Sequence, residues 1–149
     1  MIKLLDHQQT EVAKKIRAIF QVSYAIEAEL LKAVDFPPLQ RKLSSFINSE
    51  NAFYGFHFNK ELVGVIELRK IPKLTHIQSL VVDPSYFRKG VALKLIRFIL
   101  ENYDTAGFMV ETGVDNLPAT QLYKKLGFNE ILEWNTNHGV RKVRFELRI

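Results

Sequence analysis

Apolar and polar positions divide this chain into segments with two different periods. The last, "VRKVRFELR" (140–148), alternates at period two, which marks a strand with one buried face. Apolar runs bounded by turn residues also read as strands: "IKLL" (2–5), "AFYGFHF" (52–58), "LVGVIELR" (62–69), "THIQSLVV" (75–82), "GFMVETGV" (107–114) and "NEILEW" (129–134). Turns are predicted at "NKE" (59–61), which closes a hairpin, and at "NTNHG" (135–139). Composition predicts a helical region from Asp6 to Val34, capped by Asp6 and broken in two near Ser23. "FPP" (36–38) ends that region, because proline removes a donor and restricts its predecessor. Further helices are predicted within "LQRKLSSFINS" (39–49), from Gly90 to Tyr103, and at "LPATQLYKKL" (117–126). The order is mixed α/β (α+β): helices first, then a β-meander, then β-α-β-α-β-β.

The chain has 149 residues, enough to bury a core, and one domain over 1–149 is predicted. Lys94 and Arg97 interrupt the apolar helix after Gly90, so it is no membrane span. "MIKLLDHQQT" has no signal-peptide core, and a cytoplasmic location is expected. The absence of cysteine excludes disulfides, thiolate metal sites and cysteine nucleophiles. The net charge of +5 is spread along the chain without a basic tail or block, which argues against nucleic acid as partner. It suits a phosphate-bearing ligand equally well. A homodimer stays open.

One stretch asks for more than packing. In "VVDPSYFRKGVALKLIRFIL" (81–100) a strand stops at Asp83-Pro84, and Gly90 opens a long helix just after two cations, Arg88 and Lys89. A helix N-terminus carries unpaired N–H groups and a partial positive charge, so it attracts anions, phosphate above all. Gly90 lets the backbone approach a ligand without a Cβ in the way. The stretch also reads simply as a strand–loop–helix joint with two solvated cations. Neither GxxxxGK[ST] nor GxGxxG is present, so this is neither a Walker loop nor a Rossmann fingerprint.

A second stretch, "ETGVDNLPATQLYKKLGF" (111–128), follows a strand and holds a short helix. Asn116 suits the N-cap, Pro118 the first turn and Gly127 the position after the helix. Ala119, Leu122 and Leu126 form the apolar stripe, and Tyr123 borders it. A tyrosine so placed packs in the core with its hydroxyl at the edge.

Together the two stretches resemble the GNAT superfamily of acyl-CoA-dependent N-acetyltransferases. "FRKGVA" (87–92) matches the family's [Q/R]-x-x-G-x-[G/A], with Phe87 in the leading Gln/Arg position. "NLPATQLYKKLGF" (116–128) matches N-x-x-A-x-x-L-Y-x-x-x-G-F throughout. The resemblance implies a mostly antiparallel twisted sheet of about seven strands, flanked by about four helices and splayed at its central strands to admit CoA. It implies acetyl transfer from acetyl-CoA to a primary amine. Phe87 motivates an alternative, a non-catalytic CoA-binding or ligand-sensing module of the same fold. A basic nucleic-acid-binding domain is the remaining alternative.

By the same resemblance, the amides of Arg88, Lys89, Gly90, Val91 and Ala92 hold the pyrophosphate. The backbone of Leu80, Val81 and Val82 pairs with the pantetheine arm, beside Asn116 and Ala119. Lys124 and Lys125 reach nucleotide phosphates, and Tyr123 protonates the leaving thiolate. The attacking amine needs a base. His76 and Glu67 are candidates as polar residues in predicted central strands, and Glu111 is a third. His7, His57 and His138 lack ligand spacing with carboxylates, so no metal is expected. The acceptor amine is not legible. Glu27, Glu29 and Asp35 could draw a cationic amine, or could be a solvated helix face.

Overall fold

The chain combines four helices with seven strands, described over residues 1–149 by a computed structural model. In chain order these are β1 (Ile2–Leu4), α1 (Thr10–Leu31), α2 (Leu43–Ile47), β2 (Ala52–Phe58), β3 (Glu61–Ile71) and β4 (Leu74–Val82). There follow α3 (Val91–Asn102), β5 (Gly107–Gly113), α4 (Leu117–Lys125), β6 (Asn129–Asn135) and β7 (Arg141–Arg148). One sheet contains all seven strands in the order β1-β2-β3-β4-β5-β7-β6. Every neighbouring pair is antiparallel except β4 and β5.

That one parallel pair positions the site. Residues 75–77 of β4 pair with Phe108–Val110 of β5 and no further, although the two strands run on to Val82 and Gly113. Beyond Ile77 the strands part, and the facing backbone edges have no strand between them. A β-bulge lies at the point of parting. Glu67 pairs with Ser79 and Leu68 with Ile77, so Gln78 is an extra residue with no partner on β3. The extra residue flips the alternation. Ile77 and Leu80, three apart, thereby pack into one core, while Val81 packs into the other.

The sheet separates two apolar layers. On one face α3 and α4 pack Val91, Leu95, Ile96, Ile99 and Tyr123 against Ile66, Ile77, Phe108, Val110, Val143 and Phe145. On the other, α1 and α2 pack Ala13, Ile16, Ile19, Phe20 and Phe46 against Phe53, Val65 and Val81. The start of α3 lies tight on β3: a Cβ at Gly64 would come within 2.7 Å of the Val91 side chain.

The α1 region departs from the sequence reading in two ways. The helix runs unbroken past Ser23, because the buried stripe of Ile16, Ile19 and Phe20 continues through Tyr24 to Leu31. Asp6 does not cap it. The N-cap position is Gln9, whose amide donates to the Asp6 carboxylate at 2.9 Å. The helix ends at Lys32 in a left-handed conformation, before the prolines, and Pro37–Gln40 form a separate 3-10 turn. The remaining strands and helices lie where the sequence pattern put them, within a few residues.

Candidate active site

A cleft of about 760 Å³ fills the gap between the parted strands. It passes through the sheet from the α3–α4 layer to the α1 layer. Arg88, Gly90 and Val91 line its first end, Leu80, Val82, Ala119 and Tyr123 its middle, and Tyr24, Glu27, Phe36 and His138 its far end.

The first end is built for an anion. Asp83 stops β4 and shapes the loop: its carboxylate accepts from Ser85 N–H at 2.9 Å, and its carbonyl from Tyr86 N–H at 2.8 Å. The chain then takes left-handed conformations at Arg88 (φ 63°) and Gly90 (φ 77°). Lys94 makes the first helical bond of α3, to the Gly90 carbonyl. No carbonyl or side chain accepts from the N–H groups of residues 88–93. A run of unpaired amides that curls through alternating backbone signs makes a concave anion site. A Cβ built on Gly90 meets nothing within 4 Å, so the space above the glycine is open. Phe87 is exposed and lines the cleft; its N–H closes the turn on the Pro84 carbonyl at 3.2 Å, while Asp83 and the two left-handed residues shape the rest of the loop.

Midway, Tyr123 is both core and wall. Its ring is 4 % exposed and packs at 5.6 and 5.8 Å from the rings of Phe128 and Phe145. Its hydroxyl makes no hydrogen bond within the protein and is not sealed off. Burial, and then the charge of Glu27, push the phenol well above its ordinary range, so it keeps its proton.

Glu27 of α1 reaches the cleft from the opposite layer. Its Oε1 accepts from the Asn116 amide at 2.7 Å. Burial raises the affinity of this carboxyl for a proton, against the opposing effects of Asn116 and of the Lys142 charge. A carboxylate moved towards neutrality suits proton abstraction near physiological pH. Nearby, the Nε2 of His138 is buried without a partner, and its ring lies 6.1 Å from that of Phe36.

Of the residues singled out in the sequence, Glu27, Leu80, Val82, Phe87, Arg88, Gly90, Val91, Ala92, Glu111, Asn116, Ala119 and Tyr123 line the cleft. Six of those given a catalytic or CoA-binding role do not, among them Lys124, which is exposed on α4. Val81 turns its side chain into the α1 layer. Lys89 lies over the Tyr86 ring at 5.2 Å, and Lys125 is exposed at the end of α4. His76 and Glu67, offered as bases, lie outside the cleft for different reasons. His76 precedes the bulge, where β4 is still paired to β5. Glu67 is fully buried and saturated: it accepts from Arg41 at 2.8 and 3.0 Å, from Asn51 at 2.8 Å and from Ser79 at 3.0 Å. A carboxylate with four donors on it is a structural anchor. Asn116 is a true N-cap, accepting from Ala119 N–H at 3.4 Å, but its amide donors are already engaged by Glu27 and Thr112.

Sequence reasoning offered Glu27 as a charge that could draw a cationic amine, but not as a base, and singled out neither Tyr24 nor His138 for the wall. Period alone puts Glu27 on α1. Only the distance to Asn116, 89 residues later, brings it to the cleft.

Comparison with known proteins agrees with this architecture. The model of the Acetyltransferase (GNAT) family matches residues 14–128. The chain is 34% identical over 131 residues to the UPF0157 protein YqkA of Bacillus subtilis (strain 168), covering 87% of this chain and 38% of that protein. It therefore spans well under half the length of that relative. The fold is similar to that of the ribosomal-protein-S18-alanine N-acetyltransferase from Escherichia coli, with a TM-score of 0.77 at 21% identity, over 100% of this chain and 93% of that one. It is also similar to a protein of Bacillus anthracis str. Ames assigned as a streptothricin acetyltransferase and crystallised with acetyl coenzyme A. There the TM-score is 0.62 at 23% identity, over 71% of this chain and 68% of that one.

Proposed function

This chain belongs to the GNAT acetyltransferase family, and from that membership we propose that it is an N-acetyltransferase using acetyl-CoA as donor and a primary amine as acceptor. The observation that carries the proposal is the run of unpaired amides at residues 88–93, which opens into a cleft leading past Tyr123 to Glu27. The residues present fit CoA. The amides and Arg88 would hold its pyrophosphate, as a helix N-terminus holds phosphate. The free backbone edge of β4 from Leu80 to Val82 would hydrogen-bond the pantetheine arm as an added strand does.

Acetyl-CoA supplies the acetyl group as a thioester. The far end and the middle of the cleft then each contribute one proton transfer. Glu27 takes the proton from the ammonium form of the acceptor, leaving a lone pair for attack on the carbonyl carbon. Glu111, the second carboxylate lining the cleft, favours the approach of that ammonium. Tyr123, held protonated by its burial, gives its proton to the departing thiolate. The C–N bond forms and the C–S bond breaks; the nitrogen then gives up its second proton, which restores Tyr123 through solvent, and Glu27 releases the first proton to solvent. The apolar wall of Leu80, Val82, Ala119 and Leu122 keeps water from competing for the acyl group.

The test is thiol release from acetyl-CoA across a panel of amines, with CoA binding followed by calorimetry. Amine-dependent release is the expected result. CoA binding without release from any amine would make the chain a CoA-binding module. Absence of both would remove the proposal.

A further inference from the structure

The α1-side face of the sheet is only partly covered. Helix α1 packs on β3 and β4, and it meets β5 only at its end, where Leu31 lies against Gly113. The alternation of β7 buries Val143 and Phe145 in the α3–α4 layer, so Lys142, Arg144, Glu146 and Arg148 stand on the opposite, open face. Strand register places Glu111 beside Arg144 on this face, and Arg69 beside His76. The floor begins where the cleft opens, since Glu111 and Lys142 line both.

Its charge is one-sided. Arg144 and Arg148 share a single partner, Glu146, at 2.8 and 2.9 Å. Lys142 and Arg69 have no carboxylate within 4.0 Å, and Glu111 is the only other acid of the floor. His76 adds no negative charge. Burial, then Arg69 and Arg144, hold it neutral near pH 7, while Glu67 acts weakly the other way and Lys142 adds to the effect. Charged residues recur at every second position of this face of β7, with cations at 142, 144 and 148 and Glu146 between the last two. From Lys142 to Arg148 they run roughly 20 Å, at about 3.4 Å per residue, with the spacing of alternate side chains in an extended chain. That is longer than a small amine.

We propose that the acceptor is an acidic polypeptide, its amine entering the cleft at Glu27 and the carboxylates that follow it lying over Lys142 and Arg144. This rests on the acetyl-transfer reading and adds the class of acceptor to it. Lys142 is the residue that sets the preference. It is half-buried at the cleft mouth, unpaired, and close enough to act on Glu27. An ion pair across such a surface contributes modestly to affinity and more to choice of partner.

The experiment compares two peptides with the same N-terminal residue, one continuing with Glu and Asp, the other with Gln and Asn. Thiol release is measured at saturating acetyl-CoA. The acidic peptide is expected to show a kcat/KM about 5-fold or more higher, carried by KM, and the advantage is expected to shrink with added salt. Lys142→Gln should reduce that ratio, and Lys142→Arg should keep it. Equal kcat/KM for the two peptides, an advantage unmoved by Lys142→Gln, or turnover of free glutamate as good as that of the acidic peptide would each overturn the assignment. Those failures occur with turnover intact. Release from no amine at all, with CoA still bound, would instead overturn the acetyl-transfer reading and this proposal with it.

Discussion

The side-chain amide of Asn116 donates to the carboxylate of Glu27 at 2.7 Å, joining the N-cap of α4 to the last turns of α1 across the cleft. The bond fixes Glu27 at the acceptor end and leaves its second oxygen free. It also orders two helices from opposite layers of the sheet around one opening.

If Glu27 is the base, Glu27→Gln should lower kcat roughly 10²–10⁴-fold while CoA affinity is kept. The pH–rate profile should lose its acidic limb, which in the wild type lies above the ordinary carboxylate range because burial raises this group. A raised carboxyl binds its proton more tightly folded than unfolded. Stability is therefore lost as pH rises through its folded pKa, and the substitution should not lower Tm at neutral pH. An unchanged acidic limb would move the role to Glu111, for which Glu111→Gln is the companion measurement.

Tyr123→Phe keeps the ring between Phe128 and Phe145 and removes the proton. The expected result is a rate about 10²–10⁴-fold lower at saturating acetyl-CoA, with Tm and CoA affinity near those of the wild type. Activity within a few-fold of wild type would leave Tyr123 as a core residue only.

Gly90→Val tests the anion cradle. Gly90 is left-handed at φ 77° and nothing lies within 4 Å of its missing Cβ, so the new side chain fills ligand space without displacing protein atoms. The β-branched residue adds about 1–3 kcal/mol of backbone strain. Calorimetry should show CoA binding abolished in a protein that is still folded by circular dichroism. Unchanged affinity would place the phosphates elsewhere.

Arg41→Ala should destabilise the fold by roughly 3–5 kcal/mol, since it strips two hydrogen bonds from the fully buried Glu67 carboxylate. For a chain of this size that is a Tm lower by about 10 °C. The guanidinium also lies 4.1 Å from the centre of the Phe46 ring, so Arg41→Lys should restore only part of the loss. A Tm within a degree or two of wild type would show that solvent replaces the pair.

His76 makes stability depend on pH. Its pKa is lowered from 6.5 to about 4, first by burial and then by Arg69 and Arg144. The folded protein thus binds fewer protons than the unfolded chain between those values, and stability should fall as pH drops from 6.5 towards 4. Thermal melts across that window should show a shallower decline in His76→Gln. Parallel curves would mean that other groups set the acid limb.

Local chemistry made much of the machinery legible. Gly90 after two cations at the start of α3, Asn116 as the cap of α4 and Gly127 after α4 are decisions taken within a few residues. The structure keeps them, with Gly90 left-handed and residues 88–93 free to donate. The alternation of "VRKVRFELR" likewise fixed which residues of β7 face the core. Tyr123 was legible as a helical tyrosine beside an apolar stripe, and it is one.

What tertiary structure decided lies in contacts between distant segments. A polar residue in a central strand reads the same whether it faces a cleft or a partner. Glu67 found Arg41, Asn51 and Ser79 and became an anchor, while Glu111 met the opening. The bulge at Gln78 has no signature in sequence, yet it flips the faces of β4 just where the strand leaves β5. Glu27 belongs to the site only because α1 crosses the far side of that gap and meets Asn116. Periodicity specifies which face of an element is buried. It does not specify against what, because that depends on the order in which strands assemble and on where two of them part.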